Sequence, residues 1–241
     1  MLRTNFWKQW TLKAGKSRRR TRAVIATPAH VERFETRCLL SISSVFNSGT
    51  GALAITSTGA DAIAIGANGT GNVTLNGSVL NVTNGGVTGP VAANTVVSLT
   101  VTGGAGNNKI DLSGVTSTAF TLLTSTKIDG GSGNDNITGS GFNDSILGSA
   151  GNDTINGGAG NDTELGGTGD DSVVGGVGDD SLEGGDGNDN VQGGIGNDAL
   201  NGGMGNDLED GGDGNDVEYG GGRSAAARGT INSWATPGTT S

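Results

Sequence analysis

Residues 130–219 read GGSGNDNIT GSGFNDSIL GSAGNDTIN GGAGNDTEL GGTGDDSVV GGVGDDSLE GGDGNDNVQ GGIGNDALN GGMGNDLED GGDGNDVEY, one nine-residue phrase repeated ten times without insertion or deletion. A fixed period is typical of a repeat architecture, in which each unit packs only on its neighbours. We therefore predict that this array is an all-β solenoid in which each unit supplies a turn and a short strand.

Within the phrase, glycine dominates positions 1, 2 and 4, and position 6 is aspartate in every copy. Glycine permits the left-handed backbone of a tight turn, where several carbonyl oxygens can face one point. A carboxylate at position 6 adds an anionic oxygen to that point. The candidate metal ligands are therefore Asp135, Asp144, Asp153, Asp162, Asp171, Asp180, Asp189, Asp198, Asp207 and Asp216.

Calcium suits such turns because it takes roughly six to eight hard oxygen ligands and accepts carboxylates mixed with backbone carbonyls. One turn supplies too few oxygens, but two units per coil would stack turns n and n+2 about 4.8 Å apart. Eight aspartate pairs then predict up to eight Ca²⁺ ions. Backbone carbonyls of the turns would complete the ligand sets, for example those of Gly157, Gly166, Gly175, Gly184, Gly193 and Gly202.

Other cations fit this composition less well. Magnesium prefers a small octahedral shell and keeps its waters, whereas zinc takes histidine and cysteine ligands. The chain offers only His30 and Cys38 for zinc. Calcium is the predicted ligand.

The phrase Gly-Gly-x-Gly-x-Asp-x-hydrophobic-x resembles the RTX (repeats-in-toxin, haemolysin-type) calcium-binding repeats over all ten units. The resemblance implies a right-handed parallel β-roll and type I secretion. RTX proteins usually end in a folded cap and a secretion signal, whereas twenty-two residues follow Tyr219 here. An N-terminal address is therefore a competing export route.

Three residues depart from the phrase inside the turns. Ser140 and Ser149 replace the glycine of position 2, and Phe142 replaces the glycine of position 4. These substitutions restrict the backbone of the second and third turns. We expect both turns to bind cations less well than the others.

Position 8 should point into a core one residue deep, yet it is glutamate at Glu164, Glu209 and Glu218. A buried carboxylate is costly unless it escapes to solvent. An apolar residue lies one position away in each of these units, and a one-residue slip exchanges the faces of a strand. We therefore predict local irregularity at Glu164 and a frayed final coil.

Charge divides the chain sharply. The array contains nineteen acidic residues and no basic one, whereas ten of the fourteen basic residues lie in the first forty positions. A carboxylate-dense body requires cations, and a basic terminus suits a membrane surface or export machinery. The array shows no helix or stacking platform for nucleic acid, which we exclude as a partner.

Residues 44–129 are rich in Thr, Val, Ala, Gly, Asn and Ser, with short alternating runs bounded by Asn76-Gly77 and Asn84-Gly85. Such turns are typical of hairpins, so we predict an irregular β-meander or solenoid that caps the roll of residues 130–222. The segment 103–111, GGAGNNKID, is an eroded copy of the phrase. Asn108 replaces its aspartate, and we predict no metal site there.

The two ends of the chain are predicted tails, a basic one over residues 1–43 and a flexible one over residues 223–241. The basic tail lacks the apolar stretch of a cleavable signal peptide. Within it, Phe34–Ser41 (FETRCLLS) resembles the Leu-Glu-x-Arg-x-Leu-Leu-Ser-like segment of large exported bacterial proteins. The resemblance implies an export or surface-sorting address, and a short amphipathic helix is the alternative. Cys38 is the single cysteine, which excludes an intramolecular disulfide.

Catalytic motifs are missing from the sequence. It has no His-Glu-x-x-His and no Gly-x-Ser-x-Gly, and no run of eighteen apolar residues could span a membrane. We therefore predict a non-enzymatic bacterial calcium-binding protein, secreted or at the cell surface, with a structural or adhesive role. A glycan, matrix or another cell surface would be its partner. The alternative is a non-catalytic secretion and folding module of a larger RTX-type enzyme or toxin.

Overall fold

A computed structural model describes residues 42–84, 87–219 and 223–224 of the chain. The predicted address at Phe34–Ser41, almost all of the basic tail and residues 225–241 lie outside the described residues. The described part is nearly all β-structure. It contains no helix with the length and apolarity needed to cross a membrane.

The strands of the first half are β1 Ser43–Asn47, β2 Ala52–Thr56, β3 Ala62–Ala67, β4 Val73–Leu75, β5 Ser78–Val79, β6 Asn81–Asn84, β7 Val87–Pro90, β8 Ser98–Thr102, β9 Lys109–Gly114 and β10 Ser125–Ser132. Those of the second half are β11 Asn136–Thr138, β12 Asn143–Ala150, β13 Thr154–Ala159, β14 Thr163–Thr168, β15 Ser172–Val177, β16 Ser181–Asp186, β17 Asn190–Ile195, β18 Ala199–Met204, β19 Leu208–Asp213, β20 Val217–Tyr219 and β21 Arg223–Ser224. One short 3-10 helix, Ala93–Thr95, precedes β8.

The array forms a parallel β-solenoid with two units per coil, which confirms the predicted fold. Even-numbered strands from β10 to β20 follow one another in one sheet, and odd-numbered strands from β11 to β21 do so in the other. From β10 to β20, paired residues are eighteen apart, as in Ile155 with Val173 and Val173 with Val191. A full strand spans positions 7, 8, 9, 1, 2 and 3 of the phrase, and positions 4 to 6 form the turn.

The core of the roll is a single row of side chains from each sheet. Position 8 supplies Ile137, Ile155, Val173 and Val191 from one sheet, and Ile146, Leu182 and Leu200 from the other, all buried. Burying such a side chain stabilises the fold by about 1.5–3 kcal/mol relative to leaving it exposed. A core this thin leaves much of the specification of the fold to the turns.

The cap continues both sheets and is an irregular solenoid with hairpins inserted. β2 and β8 pair in parallel and lead to β10, while β3 and β9 pair in parallel and lead to β11. Antiparallel pairs join β1 to β2, β4 to β5, and β6 to β7. Asn76 and Gly77 connect β4 to β5 with φ of 50° and 75°, the two positive values that a type I′ hairpin requires.

The predicted irregularity at Glu164 is wrong. Glu164 is buried and stays in register between Ile146 and Leu182, so no slip occurs. Glu209 and Glu218 are buried in register as well, while Leu208 is left exposed. The pairing follows the eighteen-residue repeat of the turns, because a slip would misalign every glycine and aspartate on both edges.

The end of the described array keeps its register. Glu218 in β20 pairs with Leu200. The two-residue strand β21 then pairs with β19. Residues 220–222, which follow β20 directly, lie outside the described residues, so the predicted fraying of the final coil stays a prediction.

Irregular backbone lies instead in the second unit. β11 ends at Thr138 and the next strand begins only at Asn143, so the usual continuous strand is interrupted where Ser140 and Phe142 replace glycine. Ser140 has no positive φ, unlike Gly158 and Gly176 at the same position of later units. A non-glycine residue rarely adopts the left-handed conformation, and this changes the path of the chain.

Candidate metal centre

The ten aspartates of position 6 form two rows, one along each edge of the solenoid. All of them are buried. The first row, on the edge that also carries Asn108, is Asp135, Asp153, Asp171, Asp189 and Asp207, and the second is Asp144, Asp162, Asp180, Asp198 and Asp216. The structure thus brings together the aspartates two units apart that the sequence pairs.

A single hydrogen bond links each aspartate to its partner in the next coil. The backbone N–H of the earlier aspartate donates to Oδ1 of the later one, at 2.7 to 3.0 Å in all eight pairs. The later carboxylate therefore holds the backbone of the preceding turn. One oxygen of each of these carboxylates serves the fold.

The second oxygen of these carboxylates, Oδ2, differs in its hydrogen bonding. Oδ2 is buried and has no hydrogen-bond partner in nine of the ten aspartates, namely Asp135, Asp153, Asp162, Asp171, Asp180, Asp189, Asp198, Asp207 and Asp216. A buried polar atom without a partner is costly. Nine such atoms in regular rows indicate that another group is meant to bind them.

The glycines of position 1 lie beside these oxygens. A Cβ on Gly148 would collide with Asp153 Oδ2 and would come 2.5 Å from the carbonyl oxygen of Gly166 in the next coil. The same arrangement recurs at Gly166, which faces Asp171 Oδ2 and the Gly184 carbonyl. The carbonyl oxygens of Gly157, Gly166, Gly175, Gly184, Gly193 and Gly202 each lie beside the position-1 glycine of the preceding coil, close to its aspartate.

The residues of position 5 form separate, exposed rows, in which the hydrogen bonds run in the opposite direction along the solenoid. Here the later residue donates its N–H to the side chain of the earlier one, as from Asn188 to Asp170 at 2.8 Å and from Asn197 to Asp179 at 2.9 Å. These donors lower the pKa of Asp170 and Asp179. Asp170 and Asp179 already have hydrogen-bond donors, whereas nine of the ten position-6 aspartates keep one buried oxygen unpaired.

Burial raises the pKa of eight position-6 carboxyls, and repulsion between neighbours in a row adds to the effect for Asp153, Asp162, Asp171, Asp189 and Asp198. The pKa rises to about 7 for Asp153 and Asp162, and to about 6 for Asp171 and Asp198. Burial also raises the pKa of Asp135, Asp144, Asp180 and Asp189. Ionising these buried carboxyls therefore costs more than ionising them in water, and a bound cation would relieve this penalty.

On the first edge, an amide takes the place of a carboxylate in the coil before Asp135. Asn108 donates its N–H to Asp135 Oδ1 at 2.7 Å, and its Nδ2 donates to the carbonyl oxygens of Gly106 at 2.7 Å and Gly130 at 3.3 Å. The amide nitrogen thus occupies a cluster of oxygens like those beside the aspartates. Asp61 precedes it, donating its N–H to Asn108 Oδ1 at 3.0 Å.

Asp61 was not identified from the sequence as part of this row. The only signal is the fragment Gly59-Ala60-Asp61-Ala62-Ile63, which keeps positions 4, 6 and 8 of the phrase. Asp61 is buried and accepts a hydrogen bond from Ser57 Oγ. It belongs to a diverged unit of the cap.

On the second edge, a hydroxyl group lies one coil before Asp144, the first aspartate of the row. Thr126 Oγ1 donates to Asp144 Oδ1 at 2.6 Å, and Ser140 donates to the same carboxylate from both its Oγ, at 2.8 Å, and its N–H. Asp144 is therefore the one position-6 aspartate in the array whose Oδ2 has a hydrogen-bond partner. In the third turn, by contrast, Asp153 Oδ2 has no partner. Weaker cation binding by the second and third turns stays a prediction.

The donor set fits a hard cation that accepts carbonyl oxygens. Among the residues that the structure describes, no three His, Cys, Asp or Glu side chains are close enough to hold a metal by themselves. A cation there would need further oxygen ligands, which the backbone carbonyls of the glycine turns can supply. Calcium accepts such mixed ligands, whereas zinc does not.

Two parallel sheets, glycine turns and two rows of half-satisfied buried carboxylates define a repeat β-solenoid built around cation sites. The family model of the RTX calcium-binding nonapeptide repeat matches the chain over residues 129–164, 165–200 and 183–218. The array thus consists of RTX repeats and forms a calcium-binding β-roll. Comparison with curated proteins found none that matches the chain.

Proposed function

We propose that this protein is an exported structural module whose roll folds when calcium binds along its two edges. The observation that carries the proposal is the set of nine buried Oδ2 atoms without a partner. They lie in an array of nineteen acidic residues with no basic residue to neutralise them. Repulsion among these carboxylates opposes folding until cations are present.

The proposed sites lie between aspartates two units apart, which allows up to eight ions. Oδ2 of the aspartates and the carbonyl oxygens of the glycine turns would hold each ion, and the ion would supply the missing positive charge. Eight divalent ions bring +16 against the −19 of the array, so binding nearly cancels its charge. Asn108 and Thr126 precede the first array aspartate on each edge. Both already have hydrogen-bond partners and are not proposed as ligands.

The expected calcium affinity of the roll indicates the compartment in which it folds. Extracellular calcium modules bind with Kd on the order of 10⁻⁴ to 10⁻³ M, which would leave the roll empty in the cytosol and loaded outside. We therefore place the folded protein in the secreted fraction or on the cell surface. The unfolded acidic array would pass an export channel more readily than a folded roll.

A role in adhesion is supported by a shallow groove on the outer face of β8, β10, β12 and β14. Hydroxyl, amide and ammonium groups of Ser98, Thr100, Lys127, Asn143 and Asn161 line it. Such groups suit a glycan, because sugar hydroxyls both donate and accept hydrogen bonds. Calcium-dependent binding on a glycan array supports adhesion, and its absence favours the alternative of a secretion and folding module.

The test of the proposed function is circular dichroism of the full chain during a calcium titration, with magnesium as the control. We expect a cooperative gain of β-structure at calcium concentrations around 10⁻⁴ to 10⁻³ M and little change with magnesium. A roll that is fully formed in excess chelator, with no heat of calcium binding, would refute the proposal.

A further inference from the structure

One buried side chain of the roll is a glutamate, whereas most units have a hydrophobic residue at the same position of the phrase. Glu164 occupies position 8 of the fourth unit, and its side chain is 1% exposed. Neither Oε1 nor Oε2 has a hydrogen-bond partner. Its sheet neighbours at the same position are Ile146 and Leu182.

The side chain of Glu164 turns back toward the edge of the roll. A Cβ on Gly157 would meet Glu164 Oε1 and Asp162 Oδ2, and would lie 2.8 Å from the carbonyl oxygen of Gly175 in the next coil. Three oxygens from two successive coils therefore converge beside one glycine. Two of them, Asp162 Oδ2 and Glu164 Oε1, are buried carboxylate oxygens without a hydrogen-bond partner.

The equivalent glycines of other units show what Glu164 adds. At Gly130 the corresponding third neighbour is Ile137 Cδ1, at 3.1 Å, which is the position-8 side chain of that unit. At Gly148 and Gly166 the third neighbour is the Cβ of the local aspartate. The fourth unit thus places an oxygen where the first unit places a methyl group.

We propose that Glu164 is an additional cation ligand, which joins Asp162 and the Gly175 carbonyl to hold one ion from inside the roll. This proposal rests on the proposed function, since it assumes that the array binds calcium. More carboxylate ligands give tighter calcium binding. The site formed by Asp162, Glu164 and the Gly175 carbonyl therefore has the highest calcium affinity on the second edge.

Glu209 provides a contrast within the same protein. Its Oε1 accepts a hydrogen bond from the N–H of Gly202. Burial raises the pKa of Glu164, and the corresponding N–H of Gly157 only partly offsets this rise, without completing a hydrogen bond to Glu164. Glu209 also lies in the ninth of the ten units, near the end of the array. Glu164 lies in the middle of the array, with complete strands around it.

The experiment measures calcium binding to the full chain by isothermal titration calorimetry. Glu164→Gln keeps the shape of the side chain and removes its charge, and Glu164→Leu introduces the residue found at Leu182 and Leu200. The matched control is Glu183→Gln, because Glu183 is an exposed glutamate in β16. We expect one tight site in the wild type, weakened in both Glu164 variants by at least the roughly tenfold loss that removal of even an outer-shell partner causes.

Thermal unfolding separates a ligand from a glutamate that is merely buried. Glu164→Leu should unfold at a higher temperature than the wild type in chelator, yet gain less stability from calcium. Equal calcium-induced gains in the wild type, Glu164→Leu and Glu164→Gln would overturn the inference while leaving the proposed function intact. No calcium binding by the wild type would overturn both.

Discussion

The backbone N–H of Asp153 donates a hydrogen bond to Oδ1 of Asp171, one coil further along, at 2.7 Å. This bond divides the work of the carboxylate between its two oxygens. Oδ1 aligns the turns of successive coils, and Oδ2 stays buried and unpaired. The same side chain thus specifies the register of the roll and provides the candidate site.

Asp171→Asn tests this division of labour. The amide keeps an oxygen that can accept from Asp153, but it removes the charge shared by two proposed sites. We expect the variant to unfold at a higher temperature than the wild type in chelator at pH 8, because it removes repulsion from Asp189 and Asp170. With calcium we expect it to be less stable and to bind two fewer ions by calorimetry.

The control for this variant is Asp186→Asn, which removes an exposed carboxylate at position 3 of the phrase. It should change neither the number of bound ions nor the chelator stability by a comparable amount. The same loss of two ions in Asp186→Asn would show that net charge, and not the site, controls binding.

The calcium-free roll should become less stable as pH rises. Folding raises the pKa of Asp171 and Asp198 to about 6, of Asp153 and Asp162 to about 7, and of Glu164 to about 9, with burial as the main cause. A group with a raised pKa stabilises the fold below its unfolded pKa, and this contribution is lost as pH rises through the folded pKa. The midpoint temperature of thermal unfolding in chelator should therefore decrease as the pH is raised from about 4 to about 9.

Calcium should reverse this trend, because protons and cations compete for the same carboxylates. Calorimetry at pH 5 and pH 8 should show tighter binding at pH 8. A chelator midpoint that increases from pH 5 to pH 8 would contradict the buried, uncompensated state of the aspartates.

Asp144 and Asp162 are neighbours in one row, but they should differ in their response to mutation. Asp144 accepts hydrogen bonds from Thr126 and Ser140, whereas Asp162 Oδ2 has no partner. Asp162→Asn should therefore weaken calcium binding more than Asp144→Asn. In chelator the order reverses, and Asp144→Asn should be the more destabilising change, measured by thermal unfolding. Equal losses of calcium binding would contradict the assignment of Asp144 as a satisfied carboxylate.

Asn108→Asp should extend the row of sites by one. Its Nδ2 now donates to the Gly106 and Gly130 carbonyls, and a carboxylate there would present oxygen to oxygen. In chelator we expect a destabilisation of about 1–3 kcal/mol, the usual cost of unpaired buried polar groups. With calcium we expect one more bound ion by calorimetry. An unchanged number of ions would show that the cap does not share the geometry of the array.

Ser149→Gly should stabilise the roll. Ser149 has φ of 86°, and its neighbours in register, Gly131 and Gly167, have φ of 101° and 121°. A left-handed conformation costs a non-glycine residue about 1–2 kcal/mol. The net gain in unfolding free energy should be only about 0.5 kcal/mol, since the hydrogen bond from Ser149 Oγ to Asp129 is lost.

Ser145→Gly is the matched control, because Ser145 lies exposed within strand β12 and has no positive φ. There glycine only adds unfolded-state entropy and should destabilise the protein by roughly 0.5–1 kcal/mol. Urea unfolding in saturating calcium measures both variants. The same sign of change in both would contradict the strain at Ser149.

The sequence by itself determines the solenoid, its two units per coil and its pairs of aspartates, because a strict nine-residue period with glycine turns allows few other arrangements. Only the tertiary structure decides how the exceptions are resolved. Glu164 stays in register because glycine and aspartate turns on both edges hold the strand more strongly than one unfavourable side chain can shift it. Asn108, Thr126 and Asp61 take places in the aspartate rows through contacts between distant segments, which no local pattern reveals. Most of all, the structure separates the two oxygens in nine of the ten position-6 aspartates, one bonded to the neighbouring coil and one buried without a partner.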